Sequence, residues 1–250
     1  MNERPIAVVT GASSGIGAAS ARALASAGFR VVCAARRSDK LAELAAQIDG
    51  LAVTTDVTDD ASVAALAAAA GPKVAVLFNN AGGALGQDPL VDSDIADWQA
   101  MFDLNVVGAA RVTKALLPAV KAAQGTIIFT TSTAAEAPYE GGAAYCGAKA
   151  AERSLAGALR LELNGTPVKV CEVSPGMVWT DEFSLTRFRG DKGRADAVYA
   201  AVDHPLTAAD IAECVRWIAT QPKHVMIERL VVRPVAQSAN HKVFRGKLWE

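Results

Sequence analysis

Tyr145 and Lys149 stand four residues apart in a stretch with helical apolar spacing, so their side chains share one face. A free phenol ionises near pH ~10 and a lysine ammonium near ~10.4. An ammonium beside the phenol favours the phenolate and pulls its pKa toward working pH. A phenol so tuned can give a proton to a carbonyl oxygen or take one from an alcohol. Alone the pair says little, because many helices carry this spacing. Ser132 ends the run Phe129-Thr130-Thr131. A hydroxyl at the carboxyl end of a strand can hold a substrate oxygen; as plainly, it can cap a turn. Asn105 puts an amide into the apolar stretch Leu104-Asn105-Val106-Val107, where it needs buried partners. It either holds a water that links Lys149 to solvent or is a helix-interior amide satisfied by its neighbours.

Thr10-Gly11-Ala12-Ser13-Ser14-Gly15-Ile16-Gly17 follows a β-branched run and opens a helical stretch. Glycines there permit a tight turn and let backbone N–H groups approach a pyrophosphate at a helix N-terminus. The spacing is G-x-x-x-G-x-G, not the general G-x-G-x-x-G dinucleotide fingerprint, and an ordinary glycine-rich turn is the competing reading. The next run ends Ala34-Ala35-Arg36-Arg37. An acidic residue near this point binds a ribose diol, whereas arginine suits a 2′-phosphate. Arg36 and Arg37 therefore predict NADP(H) over NAD(H), against the alternative of a solvated arginine pair.

These residues need a frame that brings distant segments together. Near-continuous apolar runs lie at Ile6-Thr10, Arg30-Ala35, Leu51-Thr55, Val74-Phe78, Thr126-Thr131, Val168-Val173 and Leu230-Val232. Such runs suit parallel strands covered on both faces. Helical patterns fall between them, at about 15–28, 39–48, 60–70, 95–123, 143–163 and 207–221. The alternation predicts one α/β domain over 1–250: a doubly wound, Rossmann-type parallel sheet of seven strands flanked by helices. The only long irregular stretch is about 177–206, and within it 181–203 is expected to be a substrate lid. The tail 238–250 mixes Lys242, Arg245 and Lys247 with Phe244, Leu248 and Trp249. It is expected to dock, with a neighbouring subunit as one candidate surface.

Composition narrows the function classes. Of the 250 residues, 51% are hydrophobic and 20% charged, which fits a globular protein with a full core. The net charge of −1 gives no global field for nucleic acid or an anionic membrane. No run of apolar residues is long enough to predict a membrane span, and Met1-Asn2-Glu3-Arg4-Pro5 does not begin like a signal peptide. Four cysteines, at 33, 146, 171 and 214, show no C-x-x-C pair and no histidine at ligand spacing. They read as free thiols in a reducing, cytoplasmic setting, with no metal.

In order and spacing these segments resemble the short-chain dehydrogenase/reductase family, over nearly the whole chain. Gly11, Gly15 and Gly17 match its T-G-x-x-x-G-x-G, Asp56-Val57 its adenine-contacting pair, and Asn79-Asn80-Ala81-Gly82 its N-N-A-G. Asn105, Ser132, Tyr145 and Lys149 match its catalytic tetrad, and Pro175-Gly176-x-x-x-Thr180 the segment at the nicotinamide end. The resemblance implies that Tyr145 is the acid/base and that Lys149 holds the nicotinamide ribose and lowers the Tyr145 pKa. Ser132 would polarise the substrate carbonyl, and Asn105 would anchor a relay water. The nucleotide would lie against Gly11, Ser13, Ser14, Gly15, Ile16 and Gly17. It would continue past Arg36, Arg37, Asp56, Val57, Asn80, Ala81 and Gly82 to Pro175, Gly176, Val178 and Thr180. The resemblance also implies a homodimer or homotetramer, packed through the helices at 95–123 and 143–163.

The substrate pocket is expected to be lined by Ala84, Leu85, Thr133, Ala134, Tyr139, Met177, Val178 and Trp179. Arg187 and Arg189 either meet a substrate carboxylate or are solvated lid charges. The later half is similar to a branch holding serine and 3-hydroxy acid dehydrogenases and clavulanate-aldehyde reductase. The expected activity is hydride transfer between NADP(H) and a small carbonyl or alcohol, with 3-hydroxy acids first. Two alternatives stand beside it. One is a non-catalytic NADP(H)-sensing regulator, which usually lacks the tyrosine or lysine. The other is a 3-oxoacyl carrier-protein reductase, which needs a basic docking patch.

Overall fold

Apolar runs without alternation bury both faces, and here they pair as parallel strands. The computed structural model describes residues 4–250; residues 1–3 of the predicted domain lie outside the described residues. The strands in chain order are β1 (Ile6–Thr10), β2 (Arg30–Ala35), β3 (Leu51–Thr54), β4 (Val76–Asn79), β5 (Thr126–Thr130) and β6 (Lys169–Pro175). A short parallel pair follows, β7 (Val178–Trp179) and β8 (Leu206–Thr207), and β9 (Arg229–Val232) closes the main sheet. Its order is β3-β2-β1-β4-β5-β6-β9, with every pairing parallel. The expected seven-stranded, doubly wound sheet is present. The strand order reverses between β1 and β4, which opens a crevice outside the carboxyl ends of those strands.

Nine helices are described: α1 (Gly15–Ser26), α2 (Ser38–Gln47), α3 (Asp60–Ala70), α4 (Ile95–Phe102), α5 (Gly108–Ala123), α6 (Ala143–Glu162), α7 (Phe183–Arg187), α8 (Lys192–Tyr199) and α9 (Ala208–Ala219). Successive strand residues point to opposite faces. Val9, Phe78, Ile128 and Val173 therefore meet Leu24 of α1 and Ile211 of α9 in one buried layer. Val8, Leu77, Ile127 and Phe129 meet Leu66 of α3, Leu116 of α5 and Leu159 of α6 in the other. These two layers hold the strand ends, and hence the site, in register.

Three expectations are refined. The single helix at 95–123 is interrupted by a π-helical turn over Asp103–Val107. There the Asn105 amide donates to the Met101 and Gly83 carbonyls, pulling the chain out of α-helical register. The irregular stretch 177–206 holds α7 and α8, which flank Gly190 at φ +90°. Both helices are too short for their apolar spacing to register as periodicity. Finally, the tail folds back on its own chain as a hairpin of β10 (Gln237–Ala239) and β11 (Lys242–Val243). Arg245 donates to the carbonyls of Val198 and Ala200 at the end of α8, and Asp203 accepts from the N–H groups of Leu248 and Trp249.

Leu77 is fully buried in the central strand. Leu77→Ala is expected to cost about 2–5 kcal/mol. Calorimetry should show Tm lowered by roughly 10 °C; a shift under about 2 °C would mean that the layer does not depend on this contact.

Candidate active site

Backbone contacts build the turn after β1. The Thr10 hydroxyl accepts from the N–H of Asn80 at 2.9 Å and of Ala81 at 3.0 Å, and the Asn80 amide donates to the Thr10 carbonyl at 3.0 Å. These bonds tie the end of β1 to the end of β4 at the switch point. A Cβ on Gly17 would sit 2.2 Å from the Gly11 carbonyl oxygen, and Gly11 holds φ at +65°. No larger residue fits either place. Ser14, the N-cap of α1, makes no side-chain cap bond, which leaves the first N–H groups of the helix without that partner.

Beside this turn the Arg37 guanidinium donates to the hydroxyls of Ser13 (2.8 Å) and Ser14 (2.8 Å) and to Glu182 (2.7 Å). Lys40 reaches the same Glu182 oxygen at 2.7 Å. The hydrogen bond from Arg37, helped by those from Lys40 and Ser14, holds the Glu182 carboxyl down at about 2. Hydrogen bonds from the Thr58 hydroxyl and N–H hold Asp56 below the usual carboxylate range.

At the far end, Lys149 of α6 is buried under the end of β5. Its Nζ donates to the Thr130 carbonyl and to Glu152 Oε2, each at 2.8 Å, and lies 6.0 Å from the centre of the Tyr145 ring. Burial opposes the Lys149 charge, but the carboxylate of Glu152 and the phenol of Tyr145 outweigh it and raise its pKa. Burial also pushes Glu152 up, to about 7, against the pull of Lys149. Space for the lysine head exists because residue 82 is glycine: a Cβ there would come within 2.6 Å of Asn105 Oδ1 and 3.4 Å of Lys149 Nζ. The Ser132 hydroxyl accepts from the Ala134 N–H at 3.1 Å and donates to the Pro175 carbonyl at 3.4 Å. Its capping reading therefore holds, and the hydroxyl also faces the cleft.

One cavity of about 1300 Å³ joins these parts. Its walls include Gly11, Ser13, Ser14, Gly15, Ile16, Arg36, Arg37, Asp56, Val57, Asn80, Ala81 and Gly82. They continue through Ser132, Tyr145, Lys149, Pro175, Gly176, Val178 and Thr180. Gly17 and Asn105 stand behind the wall. Gly17 packs on Gly11, and the Asn105 amide is committed to Gly83 and Met101, as the satisfied-amide reading expects. Of the expected pocket residues, Ala84, Leu85, Thr133, Ala134, Tyr139, Met177 and Val178 line the cavity. Trp179 does not: it is 49% exposed beside the short β7–β8 pair.

The arginines at 187 and 189 separate. Arg189 is exposed and pairs with Asp97 at 2.5 Å. Arg187 turns inward, donating from Nε to the Gly86 carbonyl at 2.9 Å. Its guanidinium lies 5.9 Å from the centre of the Tyr145 ring and 5.6 Å from that of Tyr139, and its buried Nη2 has no partner among the described residues. Glu152, Glu182 and the tail residues Gln237 and Asn240, which also line the cavity or brace it, were not singled out from sequence. Glu152 alone left a readable signal, an acidic residue one turn after Lys149 on a buried face.

The short-chain dehydrogenase family model matches residues 5–187. The chain is 53% identical over 235 residues to an uncharacterised oxidoreductase of Mycobacterium tuberculosis, covering 94% of this chain and 92% of that protein. It is 40% identical over 244 residues to the serine 3-dehydrogenase of Agrobacterium fabrum, covering 95% and 97%. With the NADP-dependent 3-hydroxy acid dehydrogenase of Shigella flexneri it shares 38% over 239 residues, covering 93% and 96%. Among solved structures, the closed form of a serine dehydrogenase complexed with NADP+ superposes at TM-score 0.89 with 37% identity, covering 93% of this chain and 96% of that one. Similarity of this extent, carried by the same sheet and cleft, makes the chain an oxidoreductase of the short-chain dehydrogenase family.

Proposed function

We propose that the protein transfers hydride between NADP(H) and a small carbonyl or alcohol compound bearing an acidic group, with 3-hydroxy acids the first candidates. The observation that carries the substrate class is Arg187, which lines the same cavity as Tyr145 with its guanidinium 5.9 Å from that ring, and whose buried Nη2 has no partner among the described residues. A carboxylate can take a charge-assisted bond there while the reacting carbon lies toward Tyr145. Serine and 3-hydroxy acids, named in two relatives, both carry such a carboxylate.

The nucleotide reading rests on fit. The glycine turn leaves room for backbone N–H groups to meet a pyrophosphate. Arg37, braced on Ser13 and Ser14, offers planar donors to a 2′-phosphate, with Arg36 beside it. Lys149 would meet the ribose hydroxyls with the N–H left over from Thr130 and Glu152. Bound in this cleft, the nicotinamide would supply or accept the hydride. Tyr145 gives a proton to the substrate oxygen in reduction and takes it back in oxidation. The Ser132 hydroxyl turns its one proton from the Pro175 carbonyl to that same oxygen, and Asn105 fixes the Gly83 backbone behind Lys149 so that a relay water can be held. The segment 181–203 closes the cavity as a lid.

Absorbance of NADPH with a panel of 3-hydroxy acids and their aldehydes tests the activity. No change across the panel would refute it. Tyr145→Phe is expected to lower kcat by about 10²–10⁴-fold, measured with NADPH at saturating substrate. Arg37→Ala should raise KM for NADPH by about tenfold or more while leaving KM for NADH nearly unchanged. Equal effects on both nucleotides would remove the 2′-phosphate role. Arg187→Met should raise KM for 3-hydroxy acids by about 10–100-fold and spare an uncharged aldehyde; steady-state comparison of the two substrates decides it.

A further inference from the structure

Glu152 is 1% exposed, one turn beyond Lys149 on α6, and its Oε2 lies 2.8 Å from Lys149 Nζ. A buried carboxylate on a buried ammonium forms a nearly neutral pair. Whatever field Lys149 exerts on the phenol 6.0 Å away then depends on the charge state of Glu152. With Glu152 ionised, the ammonium is masked; with Glu152 protonated, its full charge faces Tyr145. The pair also fixes the lysine head. Two of its three donors are taken by Thr130 and Glu152, so the third has one direction left.

We propose that Glu152 is a positioning residue for the proton step: it holds the Lys149 ammonium and, by masking its charge, sets the pH at which Tyr145 ionises. This rests on the reading of Tyr145 as the group that carries the proton. Two cations face the Tyr145 ring, Lys149 of α6 at 6.0 Å and Arg187 of α7 at 5.9 Å from its centre, and only the first is paired with Glu152; on Glu152 itself act Lys149 from its own helix and Glu172 from β6. Glu172 is faced in turn by Arg153 and Arg160 of α6 and by Arg229 of β9, with Arg160 at 3.5 Å and the Thr131 hydroxyl also at 3.5 Å. Burial and the negative charge of Glu172 both favour protonated Glu152, while Lys149 favours the ionised form.

The chain holds three tyrosines. Burial pushes Tyr139 up to about 12 and also raises Tyr199. Tyrosinate absorbance of the nucleotide-free protein, taken as the difference from Y145F, therefore reads Tyr145. Glu152→Gln is expected to lower that midpoint by about one pH unit, a tenfold gain in phenolate at fixed pH. The alkaline-rising limb of kcat/KM for alcohol oxidation should move down with it. Glu152→Leu removes the charge and the hydrogen-bond acceptor together; with only the Thr130 carbonyl left, the buried ammonium gives up its proton more readily and the midpoint should rise instead, so misfolding of one variant leaves the other to decide. Glu152→Asp keeps the charge and should retain the wild-type midpoint. An unchanged midpoint in a folded Gln or Leu variant overturns the inference and leaves the proposed activity standing. A midpoint that falls as far in E152D as in E152Q also overturns it, because the shift would then come from packing. A lowered midpoint for E152Q, in a protein that turns over no substrate, would support Glu152 and defeat the activity.

Discussion

Burying one ammonium organises this site. An unpaired lysine charge inside a protein is costly, so it must find acceptors or lose its proton. Lys149 finds two, the Thr130 carbonyl at the end of β5 and the Glu152 carboxylate on its own helix. Both demands constrain the chain around them. The carbonyl of Thr130, the last residue of β5, is held by the lysine of α6. Position 82 carries no side chain, which leaves room for the lysine head and the Asn105 amide. The π turn at Asp103–Val107 then lets Asn105 reach Gly83 from behind. Tyr145, fixed one turn before the lysine, inherits its place from these contacts.

The opposite end of the cleft answers to a different constraint, the close approach of backbone to backbone. Gly11 and Gly17 touch where any Cβ would collide, and Asn80 bridges from β4 into the same turn. The first turn of α1 is thus aimed into the crevice between β1 and β4, where the sheet reverses order. Cationic groups gather at its edge, with Arg37 and Lys40 sharing Glu182 from the lid. That carboxylate joins the segment before α7 to the turn, so on the proposed reading a 2′-phosphate would compete with Glu182 for the same guanidinium.

Much of this was legible in the sequence, and the gaps have physical causes. Unbroken runs such as Val31–Ala35 suit strands buried on both faces, and their alternation with helical stretches makes a parallel sheet the architecture that fits. Tyr145, Lys149 and Ser132 stand out as a group only through the order and spacing of the motifs around them, because the Tyr-x-x-x-Lys spacing by itself is common in helices. The π turn was hidden, since nothing in Leu104-Asn105-Val106 differs from an ordinary helix until Gly83 is known to lie opposite. The helices α7 and α8 escaped for want of length, and the docking of the tail depends on carbonyls that only exist once α8 has ended. Trp179 was misplaced because its neighbour Val178 faces the cavity, and alternation along β7 sends the next side chain outward. Glu152 is legible only as an acidic residue one turn after Lys149; that it pairs with the ammonium follows from the contact the fold makes.

The lid draws these threads together. Arg187, which would anchor the acidic end of a substrate, rides on α7, whereas Tyr145 stands on α6 against the sheet. The two approach only because Arg187 holds the Gly86 carbonyl and α8 is braced by the tail through Arg245 and Asp203. An anionic substrate would therefore bridge a fixed wall and a segment held by a handful of polar contacts. On the proposed reading, part of the binding energy of its carboxylate goes into holding the lid closed. Such a closure would exclude water from the Tyr145–Lys149 pair, and exclusion would strengthen the proposed influence of Glu152 on both. Recognition of the acidic end and control of the proton step thus act through one electrostatic neighbourhood, in which Arg187 and Lys149 approach the Tyr145 ring at 5.9 Å and 6.0 Å.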